Sequence, residues 1–270
     1  MSKYLGQYFL INERKLQKIV EVLDLKPGDS VIEIGPGHGE LTENLKSQIS
    51  NLKIIAIEKD EEFVRYLQKK FARDKNIEIV KGDALKILPS VIHNSLFKIQ
   101  NYKIVGNIPF YITGRLLRTL SELENKPSLI VLTVQKEVAE RICAEPPQMN
   151  LLAASVQFWA KPEIVDYIPK TDFWPQPKVD SAIIKLKSIT VSMRPHEKCY
   201  EIGAEEYYKL IKILFKQPRK TILNNLSGNR KQELETRDRE KIIEKLRKLK
   251  INPGDRPQNL SIEQIKKLAE

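Results

Sequence analysis

Cysteine is nearly absent: the 270 residues hold two, Cys143 and Cys199, and no Cys-x-x-Cys pair. That argues against a disulfide framework and against metal ligation, and it suits a reducing compartment. Histidine is as scarce, with His38, His93 and His196 scattered along the chain, so no histidine cluster offers ligands either. No apolar run approaches the roughly 18 residues of a membrane span. The opening MSKYLGQYFL lacks the basic region and long apolar core of a secretion signal. A cytoplasmic chain without membrane attachment is the expectation. There is no internal repeat. The Gly-x-x-x-x-Gly-Lys-Ser/Thr phosphate loop is also missing, which disfavours a nucleoside triphosphate as ligand.

What is present in excess is positive charge. The formal net charge is +11 and the pI about 9.4, a balance that favours a polyanionic partner. The excess is local. Residues 185–270 carry 21 Lys/Arg against 12 Asp/Glu, a net of +9, whereas residues 1–184 carry 25 against 23, a net of +2. A solvated helical surface would look like this, and so would a phosphate-contacting face; confinement to one segment favours the second.

Strand-like and helix-like patterns alternate over the first 185 residues. SVIEIG, KIIAIE, IEIVKGD, YKIVGN and SLIVLTV are short β-branched runs, separated by amphipathic stretches such as ELTENLKSQI, DEEFVRYLQKKFA and TGRLLRTLSELE. That order predicts an α/β fold, a doubly wound parallel sheet of Rossmann-like type with helices on both faces. AKPEIVDYIP and VDSAIIKLKSI lack a long helix between them, which suggests an antiparallel pair at the sheet edge. After SMRP only helical patterns remain: EEYYKLIKILF, PRKTILNNLS, RDREKIIEKLRKL and SIEQIKKLA. Two domains are expected: residues 1–190, holding a ligand-binding sheet, and residues 191–270, small, all-helical and basic.

VIEIGPGHGELT sets Gly35, Gly37 and Gly39 between a strand and a helix, where glycine allows a sharp turn and a close ligand approach. The spacing is not the dinucleotide fingerprint, which would require glycine where Glu40 stands. Glu58 ends the next strand, where a carboxylate can accept both hydroxyls of a ribose. Asp83 follows the third strand; it can accept from an adenine amino group or cap the following helix. Glu33 and Glu58 would make the pocket acidic, which suits a cationic cofactor such as the sulfonium of S-adenosylmethionine.

VGNIPFYIT closes the fourth strand. A turn there accounts for Asn107 and Pro109 but not for two aromatics at its tip, Phe110 and Tyr111. A planar base can stack on Phe110, with Asn107 Oδ1 and the main-chain carbonyl of Ile108 or Pro109 accepting from one exocyclic amine. Two acceptors would aim the nitrogen, so that orientation rather than acid–base chemistry is the main catalytic contribution. The base would have to leave its stack to get there. The plainer alternative is a turn with its aromatics in the core.

These motifs together resemble the adenine-N6 dimethyltransferases of small-subunit rRNA. GQYFLIN, EIGPGHGELT, AIEKD, KGDAL, GNIPFYIT and FWPQPKVDSAIIKL correspond to successive motifs of that family, and FKQPRKTILNNL and RPQNLSIEQIKKLA to its C-terminal ones. The resemblance implies a methyltransferase sheet with a small helical RNA-binding domain. It implies S-adenosylmethionine against Tyr8, Leu10, Gly35, Gly37, Glu58, Asp83 and Asn107, and catalysis by Asn107, Pro109 and Phe110. Phe110, Tyr111 and Phe173 would surround the target adenine, and Arg219 and Lys220 would contact RNA. The implied activity is dimethylation of two adjacent adenosines near the 3′ end of small-subunit rRNA in the immature subunit, linked to ribosome biogenesis, by a monomer. The chain departs from the pattern at Tyr8, usually Asn, at Phe110, usually Tyr, and at MNLLAASVQF, which lacks a Gly-Arg-Leu-Ser opening. Rival readings are the resistance-type dimethyltransferases of large-subunit 23S rRNA, a DNA adenine methyltransferase, and a non-catalytic assembly factor on the same fold.

Overall fold

The structure, a computed structural model, describes residues 7–49, 51–94, 101–189, 203–228 and 236–270. The strands are β1 (Phe9–Leu10), β2 (Ser30–Ile34), β3 (Lys53–Glu58), β4 (Ile77–Lys81), β5 (Tyr102–Asn107), β6 (Leu129–Gln135), β7 (Ala160–Ile168), β8 (Phe173–Trp174) and β9 (Ser181–Ser188). The helices are α1 (Glu13–Val22), α2 (Glu40–Gln48), α3 (Glu61–Lys70), α4 (Ala84–Asn94), α5 (Thr113–Glu122), α6 (Lys136–Ile142), α7 (Leu151–Gln157), α8 (Ala204–Leu214), α9 (Ile222–Ser227), α10 (Thr236–Lys248) and α11 (Ile262–Ala269).

Seven strands form one sheet in the order β4-β3-β2-β5-β6-β9-β7. Ladders β2–β3, β3–β4, β2–β5 and β5–β6 are parallel, and β9 runs antiparallel to β6. All five residues of β2 are buried, as a parallel strand covered on both faces requires; hence the continuous apolar run SVIEI rather than an alternating one. The Rossmann-like expectation therefore holds, and β7 and β9 are neighbours at the edge. Helix α1 presents Leu16, Ile19 and Val20 to the core, and its first turn is capped by Asn12, whose side chain accepts from Lys15 N. The chain steps outward from β2 to β4, then returns to the far side of β2 as β5. That reversal opens a crevice beyond the carboxyl ends of β2 and β5, where sheets of this type bind ligands.

The sequence does not announce a second, two-stranded sheet, in which β1 pairs antiparallel with β8. Ile11 N adds a hydrogen bond to Asp172 O at 2.9 Å.

By packing, the chain divides into two units, Met1–Ala139 with Lys161–Val191 and Glu140–Ala160 with Ser192–Glu270. Segment 140–160 thus groups with the C-terminal helices, unlike the 1–190 and 191–270 division drawn from the sequence. The boundary expected around 190 lies outside the described residues. The second unit has its own core of Met149, Ala153, Tyr207, Ile211, Leu246 and Ile265, among others. Within it Phe158 stacks on Tyr207 at 4.0 Å, and the Tyr207 hydroxyl donates to Ala154 O at 2.9 Å. Alanines 153 and 154, both fully buried, let α7 come close to α8; that is the physical content of the LLAA run. Helix α9 starts later than PRKTILNNLS suggested, with Thr221 as its cap, so Arg219 and Lys220 lie in the preceding turn.

Candidate active site

One cavity of about 480 Å³ lies at the carboxyl ends of β2 to β5, within the roughly 300–1,000 Å³ typical of small-molecule sites. Its lining brings together Tyr8, Gly35, Gly37, Glu58, Asp83, Asn107, Pro109, Phe110, Tyr111 and Phe173. Leu10, placed against the cofactor by the resemblance, instead sits in the hydrophobic core at 3% exposure. Arg219 and Lys220 belong to the second unit.

Gly35 turns with φ +68, and a Cβ built there would meet no atom within 4 Å, so the cavity approaches the bare backbone. At Gly37 (φ +59) a Cβ would fall 2.7 Å from the Phe9 ring. That ring also packs on His38 at 4.4 Å and Phe63 at 5.7 Å. The N-terminal strand therefore closes over the glycine loop.

Glu58 is buried at the tip of β3. Its Oε1 accepts from Lys59 N at 2.7 Å and Asp60 N at 2.8 Å, and its Oε2 from Gly37 N at 3.2 Å. Burial raises its pKa, while these backbone donors pull the other way. The carboxylate is thus already oriented, with Oε2 carrying one long hydrogen bond and acceptor capacity to spare. Asp83 caps the following helix and also borders the cavity. Its Oδ1 accepts from Leu85 N at 3.1 Å, capping α4, while its Oδ2 pairs with Lys59 Nζ at 3.2 Å. Burial works to raise the Asp83 pKa, but the Lys59 and Leu85 hydrogen bonds and the Lys59 and Lys86 charges outweigh it, so the group lies below the usual range. It faces the cavity as an anion.

Glu33 corrects the expectation of a doubly acidic pocket. It is 1% exposed and accepts from Thr42 Oγ1 at 2.6 Å. Desolvation pushes its pKa up to about 8, further raised by Glu40 and Glu58 and only partly offset by Thr42. At neutral pH it is mostly protonated and adds little negative charge to the site. A carboxyl whose folded pKa is raised stabilises the fold below its unfolded pKa and loses that contribution as pH rises through the folded one. The window here runs from about 4.5 to about 8. Glu33→Gln keeps an acceptor for Thr42 and removes the ionisation. Its urea midpoint is expected to stay level between pH 5 and pH 9 where the wild type falls, a gap on the order of a few kcal/mol at the alkaline end. Parallel pH-dependent slopes for both proteins would refute this.

At the end of β5, Asn107 Nδ2 donates to Tyr8 O at 2.7 Å. This fixes the amide's orientation and leaves Oδ1 as its acceptor. Pro109 O is engaged by Ile112 N at 3.1 Å, closing a 3-10 turn over Phe110–Ile112. Ile108 N is anchored to Thr133 O at 3.2 Å. Of the two carbonyls suggested by the sequence, Pro109's already accepts one hydrogen bond within the turn. Phe110 is half-buried and Tyr111 is 61% exposed, so neither aromatic is a core residue. Phe173, on β8, borders the cavity but is buried in the hydrophobic core.

The lining fits an adenosyl group: a spare carboxylate acceptor for ribose hydroxyls, a glycine cradle that a side chain would fill, apolar Ile57 and Ile108, and an anionic Asp83. Among the described residues no group of three or more His, Cys, Asp or Glu is arranged to hold a metal. None of their helices is long and apolar enough to cross a membrane.

Sheet order and cavity lining define a Rossmann-like, nucleoside-cofactor methyltransferase. The family model described as ribosomal RNA adenine dimethylase matches residues 1–270, and the chain belongs to that family, whose methyl donor is S-adenosylmethionine. Ribosomal RNA small subunit methyltransferase A of Dehalococcoides mccartyi is 39% identical over 269 residues, covering 98% of this chain and 86% of that protein. Its namesake in Mycoplasma capricolum is 34% identical over 270 residues, covering 99% and 96%. Among solved structures, a dimethyladenosine transferase from Plasmodium falciparum superposes with a TM-score of 0.78 at 26% identity, covering 96% of this chain and 95% of that one. The 23S rRNA methyltransferase ErmE gives 0.72 at 24% identity, covering 97% and 98%; that likeness is one of fold.

Proposed function

We propose that this enzyme dimethylates the N6 amines of adjacent adenosines near the 3′ end of small-subunit rRNA, working as a cytosolic monomer on the immature subunit. The observation that carries the chemistry is the Asn107 amide, held by Tyr8 O at 2.7 Å with its oxygen left to accept. Bound S-adenosylmethionine supplies an electrophilic methyl group. The chain supplies position. Glu58 accepts from the ribose and Gly35 admits the cofactor to the backbone. Asp83 Oδ2 accepts from the adenine amine of the cofactor, with the exposed Lys59 free to swing away. On the substrate side the Phe110 ring offers a stacking platform, worth roughly 1–3 kcal/mol per base. Asn107 Oδ1 and Ile108 O accept the two N–H bonds of the target amine and so direct its nitrogen. Fixing a reactive pair in this way removes up to about 7–11 kcal/mol of barrier. Once the methylated nitrogen has released a proton to solvent, one N–H remains for the second transfer, and one acceptor still holds it.

The small-subunit substrate is favoured over the large-subunit one because relatives at 34–39% identity over nearly the whole chain carry that name. RNA contact is assigned to the second unit. There Asn225 Nδ2 lies within hydrogen-bonding distance of the carbonyls of Gln217, Lys220 and Thr221, at 3.1, 3.3 and 3.2 Å. The turn that carries Arg219 and Lys220 is thereby held firm, with Arg219 exposed. Replacing both cations by Gln is expected to weaken RNA binding about tenfold at moderate salt and to flatten log K against log [salt] by roughly 0.7–0.9 per lost phosphate contact; identical slopes would assign the segment to solvent. The test of the whole reading is incubation with labelled S-adenosylmethionine and, separately, under-methylated small subunits, large subunits and duplex DNA, followed by mapping of the label by mass spectrometry. Label on large subunits or DNA in place of small subunits refutes it.

A further inference from the structure

The two places where the chain leaves its family's pattern around the site are neighbours in space. The ring centroids of Tyr8 and Phe110 lie 5.4 Å apart with planes inclined at 35°, inside the roughly 4.5–7 Å over which aromatic pairs attract. Both rings are half-buried and line the cavity. The main-chain oxygen of Tyr8 is also the partner of Asn107 Nδ2. Tyr8 therefore touches both halves of the motif, carbonyl to amide and ring to ring. Phe9, next in the chain, packs elsewhere, on Gly37 and His38.

A stacking platform is useful only if its plane is fixed, since a base lying on a tilting ring carries its amine away from the acceptors. Phe110 has no hydroxyl with which to be pinned, and it opens a 3-10 turn rather than sitting inside a long helix. Its orientation rests on what packs beside it. We propose that Tyr8 is a positioning residue for methyl transfer. Its ring sets the plane of Phe110 while its carbonyl sets the Asn107 amide, so that one residue registers the stacking surface with the amine acceptor. This rests on the adenine-methylating reading above and adds to it a residue that acts through Phe110 rather than through the cofactor.

The test is a set of single-turnover methyl-transfer rates on under-methylated small subunits, with calorimetric S-adenosylmethionine affinities. The proteins are wild type, Tyr8→Leu, Tyr8→Phe, Phe110→Leu and the Tyr8→Leu/Phe110→Leu pair. Tyr8→Leu is expected to slow transfer about 2- to 12-fold, the range of an aromatic-pair interaction, with cofactor affinity within about twofold of wild type. Tyr8→Phe restores most of that loss. In the Phe110→Leu background Tyr8→Leu costs little more, because the ring it supports is gone. The inference is overturned if Tyr8→Leu leaves the rate untouched or weakens only cofactor binding. It is also overturned if Tyr8→Phe is as slow as Tyr8→Leu, or if the full loss recurs without Phe110. Should Tyr8→Leu melt below the assay temperature, Tyr8→Met serves in the same cycle. Wild-type protein that labels no small subunit overturns the functional reading itself and the inference with it; a labelling wild type with an indifferent Tyr8→Leu overturns the inference alone.

Discussion

Asn107→Ala is expected to slow methyl transfer by about 10²- to 10³-fold, the usual loss when one preorganised hydrogen-bonding group is removed from a reaction centre. Two things disappear together. The target amine loses its side-chain acceptor, and Tyr8 O loses the Nδ2 donor now at 2.7 Å. The first loss acts on the reacting nitrogen; the second loosens the strand above it. RNA binding is expected to stay within about twofold, since Asn107 lies in the sheet unit while the basic turn lies in the other. Asn107→Asp separates the two effects. It keeps an acceptor for the amine but offers Tyr8 O no donor, so its rate should fall between wild type and alanine. The measurement is a single-turnover rate on under-methylated small subunits beside an RNA-binding isotherm. A near wild-type rate for Asn107→Ala would end the orientation mechanism.

The second large effect is on the cofactor. Glu58→Ala is expected to weaken S-adenosylmethionine binding by about 10- to 100-fold, from the roughly 1.5–3 kcal/mol of a hydrogen bond to a charged group. It also strips the acceptor from Gly37 N, Lys59 N and Asp60 N, so the glycine loop loses its tie to β3. Glu58→Gln retains acceptance through one oxygen and should lie between. Because burial lifts the Glu58 pKa above the ordinary carboxylate range, wild-type affinity should begin to fall on acidification sooner than for an exposed glutamate. That sensitivity should vanish in Glu58→Gln. Calorimetry across pH 5 to 8 decides it; unchanged affinity in Glu58→Ala removes the ribose assignment.

The parts of this site that sequence made legible are those where local geometry dictates residue type. A backbone turn at φ +68 that borders a cavity asks for glycine, and Gly35 stands there. A carboxylate at the end of a parallel strand was expected to border the ligand crevice, and Glu58 does. Asn, Pro and an aromatic in succession have no purely structural explanation once the second aromatic proves exposed, as Tyr111 is. What could not be read depends on contacts between distant residues. The β1–β8 pair is two residues deep on each side, too short to leave an alternating pattern. Glu33 looks like a second pocket anion until its burial is known. Segment 140–160 lies between two sheet strands in the chain, and only its packing against Tyr207, Ile211 and their neighbours assigns it to the helical unit. Asp83 shows the limit from the other side: helix cap and adenine contact were alternatives on paper, and the cap is formed by a carboxylate that also borders the cavity.

The pairing of Phe9 and Leu10 with Trp174 and Phe173 ties together two segments that lie far apart in the chain. Phe9 and Phe173, one from each segment, both border the cavity. The two walls are thus coupled through a ladder only two residues long, and a change that weakens β8 is expected to reach the side of the cavity that β1 forms.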